Sequence, residues 1–362
     1  MKNKDLIFEK IDNINYLIYI KKSEKILIVS KSNLLIIKNY FTKTKDEFEQ
    51  FLKKKFKLSD TSAISRELSQ LTNKEKTKST KIKSIKTPKF SNNFSFKIED
   101  CIYTILHDDS INMNDIFGQL NHLCTNKKSK DKNFKVFTKK NKVYLCLNEE
   151  YIGSWEKNQV HFLKGKVLSI IIYRYHNLSE KKWSAFLHGS IVHKSNKSFL
   201  IIGNSGSGKT SLATLLVKNG FTLICDDTAP LNNKGFFGHF PNALSIKKSN
   251  NGILENYSLK NFYQFNTTTY KGDITYLYPK RNEIFKKFYY CDNIFRVNYN
   301  KNLKLRISKS NKEKVLQELI NDSFLVRNNK SIKSFIEWVK KGEFYDITYS
   351  NEEDILDFIK KI

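Results

Sequence analysis

Two short apolar runs open the chain, YLIYI at 16–20 and ILIV at 26–29, with the polar stretch KKSEK between them. Apolar runs of that length broken by a polar turn predict a β-hairpin. Ser32 is then placed to cap a short helix through Leu34, Leu35, Ile37 and Phe41. A second helix opens at Thr44-Lys45-Asp46-Glu47, whose spacing allows a reciprocal capping box. Its apolar face is Phe48, Phe51, Leu52 and Phe56, and Ser59-Asp60 starts a third helix with Ile64, Leu68 and Leu71 on one side. The pattern stops at 73–95, where lysines alternate with Ser, Thr and Asn around Pro88. Low hydrophobicity and like charge predict an extended linker there.

From 96 to 180 the pattern turns β-rich, with candidate strands at 135–137, 143–147 and 160–163 and turns at Asn141-Lys142 and Asn148-Glu149-Glu150. A helix through Leu168, Ile171, Ile172 and Tyr175 follows. Near the C-terminus, Ser310-Asn311-Lys312-Glu313 opens a helix with Val315, Leu316 and Leu319 inward. Ser331 starts another, bearing Ile332, Phe335, Ile336 and Trp338; 344–349 is a strand, and a last helix begins at Asn351. No internal repeat is present.

Composition narrows the function classes. Of 362 residues, 40% are hydrophobic and 13% aromatic, which excludes a wholly disordered chain. Mean hydropathy is −0.51, and no apolar run approaches the roughly 18 residues of a membrane-spanning helix. The charged MKNKDLIFEK start carries no apolar export core. Five scattered cysteines (Cys101, Cys124, Cys146, Cys225 and Cys291) form no CxxC pair, as expected of a reduced cytoplasmic protein rather than a disulfide scaffold or zinc finger. Sixty-four Lys+Arg against 36 Asp+Glu leave a net charge of +28. That balance raises nucleic acid as a partner. The lysines, however, are spread over the whole chain without an alternating aromatic platform, which favours a solvated surface; the linker is a spacer or an electrostatic tether.

The chemistry concentrates in one place. The apolar run 198–202 leads directly into Gly203-Asn204-Ser205-Gly206-Ser207-Gly208-Lys209-Thr210, and 211–220 reads as a helix ending in Gly220. This G-x-x-x-x-G-K-T spacing, between a strand and a helix, is that of a phosphate loop. Its glycines let backbone N–H groups turn inward as an anion nest at a helix N-terminus. Within Gly203, Asn204, Ser205, Gly206, Ser207, Gly208, Lys209, Thr210 and Ser211, Lys209 is placed for β- and γ-phosphates and Thr210 for Mg²⁺. The next strand, 221–225, ends in Asp226-Asp227, at the C-terminal edge of what is expected to be a parallel strand beside the loop. There the two acids can hold metal or meet substrate, or else mark a solvent-facing turn. His188 precedes a strand expected to neighbour the loop strand. It either orients an Asp or senses the γ-phosphate, or is a structural hydrogen-bonding residue.

Two resemblances extend this. The hairpin, the helix after Ser32 and the passage from Thr44 to Asp60 resemble PqqD-like domains, which recognise precursor peptides; a winged-helix-like unit contacting nucleic acid is the alternative. Leu187-His188-Gly189-Ser190, the loop 203–210, the run from Gly220 to Asp227, and Phe240-Pro241-Asn242-Ala243-Leu244-Ser245-Ile246-Lys247 together resemble the HPr kinase/phosphorylase superfamily, in particular its HPr-kinase-like serine kinases. That likeness covers about 130–362. It implies ATP on Lys209 and the loop amides, Mg²⁺ on Thr210, base and metal contacts from Asp226 and Asp227, and an assisting His188. Asn242 stands where relatives often carry Arg, so a charge on the transferring phosphoryl group would come from Lys247, Lys248, Arg281 or elsewhere. The glycine-containing downstream signature of true HPr kinases is not found, so HPr is a poor acceptor candidate.

The expected architecture is α/β. A P-loop, HPr-kinase-like domain at 96–362 (lead-in 96–180, nucleotide core 181–310, extension 311–362) follows a small winged-helix-like, PqqD-like α+β domain at 1–72 and the linker 73–95. The expected function is ATP- and Mg²⁺-dependent phosphoryl transfer to a Ser or Thr of a precursor peptide or carrier protein captured by 1–72. The rivals are a nucleotide-switched binding protein without transfer, a kinase of a small hydroxyl-bearing metabolite, and a nucleic-acid binder. Self-association stays open.

Overall fold

The computed structural model describes residues 5–73, 85–131, 133–247, 258–269 and 272–362. Residues 74–84 of the expected linker, and Lys248, lie outside the described residues. Across the described residues the architecture is mixed α/β with five sheets.

The N-terminal unit has one strand more than the pattern predicts. β1 (Leu6–Lys10) pairs antiparallel with β2 (Asn15–Ile20), which pairs with β3 (Lys25–Ser30). Alternation along these strands splits their side chains between two cores. Leu6, Ile18 and Ile20 join Leu34, Ile37, Phe48, Leu52 and Leu68 of helices α1 (Lys31–Thr42), α2 (Lys45–Phe56) and α3 (Ser62–Thr72). Ile7, Leu17 and Tyr19 face the other way, into the large core shared with the rest of the chain. The Thr44–Glu47 capping box forms as its spacing predicts. Ser30, rather than Ser32, caps α1, because its extended backbone lets the hydroxyl accept from Asn33 N–H.

The strand β4 (Asn92–Ile98) begins inside the span expected to be linker. It opens a five-stranded sheet with β5 (Cys101–His107), β6 (Asn133–Lys139), β7 (Lys142–Leu147) and β8 (Glu150–Glu156). Between β5 and β6 lies α4 (Met113–Phe117). The expected strand at 160–163 is instead the first turn of α5 (Val160–Tyr175). Leu163, Val167, Leu168, Ile171, Ile172 and Tyr175 recur on one buried face, and a four-residue apolar run cannot by itself distinguish the two periods.

Two sheets then frame the site. β9 (Trp183–Leu187) pairs with β13 (Ala229–Asn232) in a five-stranded sheet that also holds β14 (Phe236–Gly238), β18 (Phe288–Tyr290) and β21 (Phe324–Leu325). The six-stranded sheet contains β10 (Ser190–Lys194), β11 (Lys197–Ile202), β12 (Thr222–Cys225), β19 (Asn293–Tyr299), β20 (Arg306–Lys309) and β22 (Glu343–Tyr349), in the order β12-β10-β11-β19-β22-β20. β11, β19 and β22 run parallel; β10 is antiparallel to both of its neighbours. The parallel-neighbour expectation for β12 is therefore corrected. β12 is an edge strand two places from β11, and two antiparallel steps bring its C-terminal end to the same sheet edge as that of β11. A three-stranded sheet of β15 (Leu244–Lys247), β16 (Phe262–Thr269) and β17 (Gly272–Pro279) lies beside it.

The remaining helices are α6 (Lys209–Lys218), α7 (Lys312–Asp322), α8 (Asn329–Lys341) and α9 (Glu352–Lys361). Asn311 and Asn328 cap α7 and α8, one and three residues from the serines expected to start them. The N-terminal sheet packs against this end of the chain. Tyr19 Oη donates to Arg327 O at 2.9 Å and Asn15 Nδ2 to Glu313 Oε2 at 2.7 Å. No described helix is long and apolar enough to cross a membrane.

Two buried histidines make stability sensitive to acid. Burial pushes His176 and His239 down to about 4; His176 Nε2 meets His239 O at 2.9 Å, and Tyr175 Oη meets His239 Nδ1 at 3.0 Å. The unfolded chain takes up protons near the ordinary histidine value of about 6.5, whereas the folded chain refuses them until about 4. Stability is thus full above the unfolded value and falls as pH drops through that window, by about 3 kcal/mol for one such histidine. Urea midpoints measured at pH 7 and pH 4.5 are expected to differ accordingly; equal midpoints would refute this assignment.

Candidate nucleotide and phosphoryl site

β11 ends at Ile202, and the glycine-rich stretch 203–208 turns directly into α6. The turn needs glycine at its two ends. Gly203 sits at φ 145°, where a Cβ would lie 2.6 Å from Ser207 Oγ and 2.8 Å from Val297 O. Gly208, the N-cap of α6, sits at φ 91° against Tyr299 Cβ. These positions suit a residue with no side chain and a free choice of φ. α6 is anchored behind the loop by Leu212, Leu215 and Leu216, which pack with Val192, Phe199, Ile201 and Leu223.

Lys209 leads α6 and folds back over the loop, donating to Gly203 O at 2.7 Å and Asn204 O at 3.0 Å. Burial holds its ammonium below the ordinary lysine value, against the opposing pull of Asp226, Asp227 and Asp322. Lys247, the last residue of β15, reaches Ser205 Oγ at 3.3 Å.

The two acids after β12 are in unlike environments. Asp226 is buried, 2% exposed, and both of its oxygens are engaged: Ser190 Oγ donates to Oδ1 and Ser245 N donates to Oδ2 at 3.1 Å. Burial pushes Asp226 up to about 6; the Ser190 hydrogen bond opposes the shift and the neighbouring Asp227 charge adds to it. Asp227 turns away at φ 62°, and its side chain is 34% exposed. Its Oδ1 lies 3.1 Å from His188 Nδ1 and its Oδ2 3.2 Å from Lys164 Nζ. Burial alone would raise Asp227, but the Lys164 ammonium and the His188 contact outweigh it and hold the carboxyl far below its usual range. His188 is raised by the same hydrogen bond to Asp227.

Among the described residues no further strand pairs with the outer edge of β12, which is closed by Phe240 N–H donating to Ile224 O at 3.0 Å and by side-chain amides. Asn242 Oδ1 accepts from Asp226 N at 3.0 Å and its Nδ2 donates to Asp226 O. Asn282 does the same to Leu223, with both contacts at 2.8 Å. Asn242 is fully buried and therefore fixes the backbone of Asp226 rather than lining the mouth of the site. A small cleft beside His188 and Gly203 is walled by Glu318, Leu319, Asp322 and Ser323 at the end of α7; Ser323 Oγ accepts from His188 N at 3.2 Å.

The structure thus brings the loop, Lys209, His188, Asp226 and Asp227 to one sheet edge, with Lys247 reaching the loop. Among the described residues no hydrogen bond or ion pair joins Arg281 to these groups. Sequence reasoning missed Lys164, Ser190, Asn242 as a backbone clamp, and the α7 wall. A double amide bond to the main chain of one residue leaves no spacing signal, and Lys164 lies 63 residues ahead of its partner.

The unequal burial of the acids has a measurable consequence. The folded value of Asp226 stands above the ordinary one, so its ionisation costs stability increasingly as pH rises from about 4 through 6. Asp226→Asn keeps an acceptor for Ser245 and a donor for Ser190. It is expected to raise the unfolding free energy by about 2 kcal/mol at pH 8 and by little at pH 4. Denaturation at the two pH values checks this; equal effects at both would refute it.

The donor set suits a metal–nucleotide pair. A threonine hydroxyl and a partly exposed carboxylate are hard oxygen donors, and Mg²⁺ is commonly held by one or two carboxylates plus substrate phosphates. Among the described residues no group of three or more His, Cys, Asp and Glu could hold a metal ion by itself.

No family model matches the chain. Part of it is similar to HPr kinase/phosphorylase 1 of Oceanobacillus iheyensis, 34% identical over 102 residues, which is 27% of this chain and 33% of the relative. A shorter stretch is similar to HPr kinase/phosphorylase of Prosthecochloris aestuarii, 44% identical over 48 residues, 13% of this chain and 14% of the relative. The matches thus span a third of one relative's length and about a seventh of the other's. They support a relationship to the HPr-kinase-like superfamily over part of the chain.

Proposed function

We propose that this chain is a P-loop, HPr-kinase-like enzyme of the cytoplasm that transfers the γ-phosphoryl group of ATP to a Ser or Thr hydroxyl of a peptide or carrier protein. The observation that carries this is the convergence on one sheet edge of the glycine-rich loop, Lys209 and the Asp226–Asp227 pair, which no other part of the described structure duplicates. Glycine-rich loop amides and the N-terminus of α6 bind the phosphates, and Lys209 exchanges its two carbonyl partners for phosphate oxygens. Thr210 and Asp227 would hold Mg²⁺, which when bound neutralises charge between the β- and γ-phosphates.

Asp227 is the carboxylate that can touch a ligand, since its side chain is 34% exposed whereas Asp226 is buried. The acceptor oxygen bonds to Pγ and the bond to the β-phosphate oxygen breaks. Its electron pair leaves on ADP, and the hydroxyl proton passes to Asp227. His188 holds Asp227 in place. Asp226 is a positioning residue, buried between Ser190 and Ser245, that sets the direction in which its neighbour points.

Residues 1–72 are proposed as a PqqD-like recognition unit for the acceptor. Fixing the acceptor on the same chain raises its effective concentration at the site. The test is incubation of the full chain with labelled ATP, Mg²⁺ and candidate peptides. Phosphoserine or phosphothreonine should form, and should be absent with Lys209→Ala. A bound acceptor peptide carrying a photo-crosslinker should attach within 5–73; attachment elsewhere sinks the recognition claim without touching the transfer claim.

A further inference from the structure

Lys164 enters the candidate site from outside the segment that bears the loop, His188 and both acids. It projects from α5, the helix that follows the five-stranded sheet, and its Nζ lies 3.2 Å from Asp227 Oδ2. The side chain is 24% exposed, so its stem is largely covered while the ammonium meets the carboxylate. Lys209 and Lys247 touch the glycine-rich loop instead. The two oxygens of Asp227 are thus shared out, Oδ1 to His188 and Oδ2 to Lys164.

Three cations placed around one loop and one carboxylate exceed what a phosphate loop alone needs. An ammonium and a divalent ion compete for the same carboxylate lone pairs. A lysine on a flexible four-carbon stem can change partners without backbone movement. A transferring phosphoryl group spreads charge over three equatorial oxygens, and a cation that meets them in the transition state accelerates the step.

We infer that Lys164 is an exchangeable counter-ion of Asp227. It occupies Oδ2 in the nucleotide-free protein and passes to an oxygen of the transferring phosphoryl group when nucleotide and metal bind. The second half of this rests on the proposed phosphoryl transfer; the first half does not. It also makes the β-rich unit at 85–175 a contributor to the site rather than a spacer ahead of it.

The full chain with Lys164→Met and with Lys164→Arg tests both halves. Metal binding is read without turnover, by titrating Mn²⁺ with ADP present and following free Mn²⁺ by electron paramagnetic resonance against the same titration without protein. Removal of the competing ammonium in Lys164→Met is expected to tighten Mn²⁺ binding by at least about threefold, with Lys164→Arg near wild type. In the transfer assay, Lys164→Met is expected to lower kcat by about 100-fold with KM for ATP little changed, and Lys164→Arg to recover most of the loss.

An exposed ion pair of no consequence would leave both measurements unmoved, which overturns the inference. Equal losses in both variants together with a lower denaturation midpoint assign Lys164 a structural role and overturn it as well. Should the wild-type chain phosphorylate no acceptor, the phosphoryl half falls with the proposed function, and the Mn²⁺ titration alone decides the counter-ion.

Discussion

Asp227→Asn is expected to slow phosphoryl transfer by about 10²–10⁴-fold while ATP stays bound. The substitution keeps the side chain's shape and leaves an oxygen to pair with His188. It removes the negative charge and the capacity to take the acceptor's proton. In the proposed site the phosphates are met elsewhere, by the loop amides, the α6 N-terminus and Lys209, so nucleotide affinity should change little. The measurement is transfer rate and ATP affinity on the same preparation. An unchanged rate would remove Asp227 from the chemistry. A parallel loss of ATP affinity would leave it a metal contact only. A wild-type chain that binds ATP and alters partner binding, yet labels no hydroxyl, would establish the nucleotide-switched binding protein in place of the kinase.

Asn242→Ala is expected to be the most damaging single change outside the ligand-contacting residues. The asparagine is fully buried, and its amide answers both the N–H and the C=O of Asp226. Its removal strands the buried N–H of Asp226, leaves Asp226 O with Thr228 N–H as its remaining donor, and opens a void, at a cost of about 2–5 kcal/mol. The same bonds hold Asp226 at the end of an edge strand, so transfer should fall as well, through misplacement of the acids. Urea denaturation and the transfer assay, run on Asn242→Ala and Asp226→Asn together, separate the two effects. The first variant loses stability and rate, whereas the second gains stability at pH 8 and loses rate. An Asn242→Ala protein with wild-type stability would show that the edge of β12 does not depend on this clamp.

The clamp also changes what position 242 means. A resemblance that places arginine there suggests a missing charge. The structure shows a side chain turned into the protein and bonded to the main chain, with Lys164 and Lys247 bringing charge to the site from other elements. Lys248, another candidate for that charge, lies outside the described residues.

How much was legible follows from the range of each interaction. The Thr44–Glu47 capping box is a three-residue relation and forms as read. The strand–loop–helix around Lys209 is also local: glycine spacing, a preceding apolar run and a following helical face lie within about 20 residues. The cap of α1 differed by two positions because Ser30 and Ser32 are both capable caps, and only the backbone angle at the end of β3 chooses between them. The segment 160–163 was ambiguous because four apolar residues fit either a strand or a helix. The burial of Leu163 in register with Val167 and Ile171 settles it.

The chain's own spacing therefore determined where the glycine-rich turn between β11 and α6 forms, since its conformation depends on which residues tolerate positive φ. The tertiary structure decided which acid is buried and which is partly exposed. Asp226 and Asp227 are adjacent and chemically identical, and their environments come from partners 36, 39 and 63 residues away: Ser190, His188 and Lys164. Those partners meet the acids only because β10 runs antiparallel between β11 and β12 and α5 packs nearby. The order of strands in a sheet is set by long-range packing, and a one-dimensional pattern carries no direct trace of it.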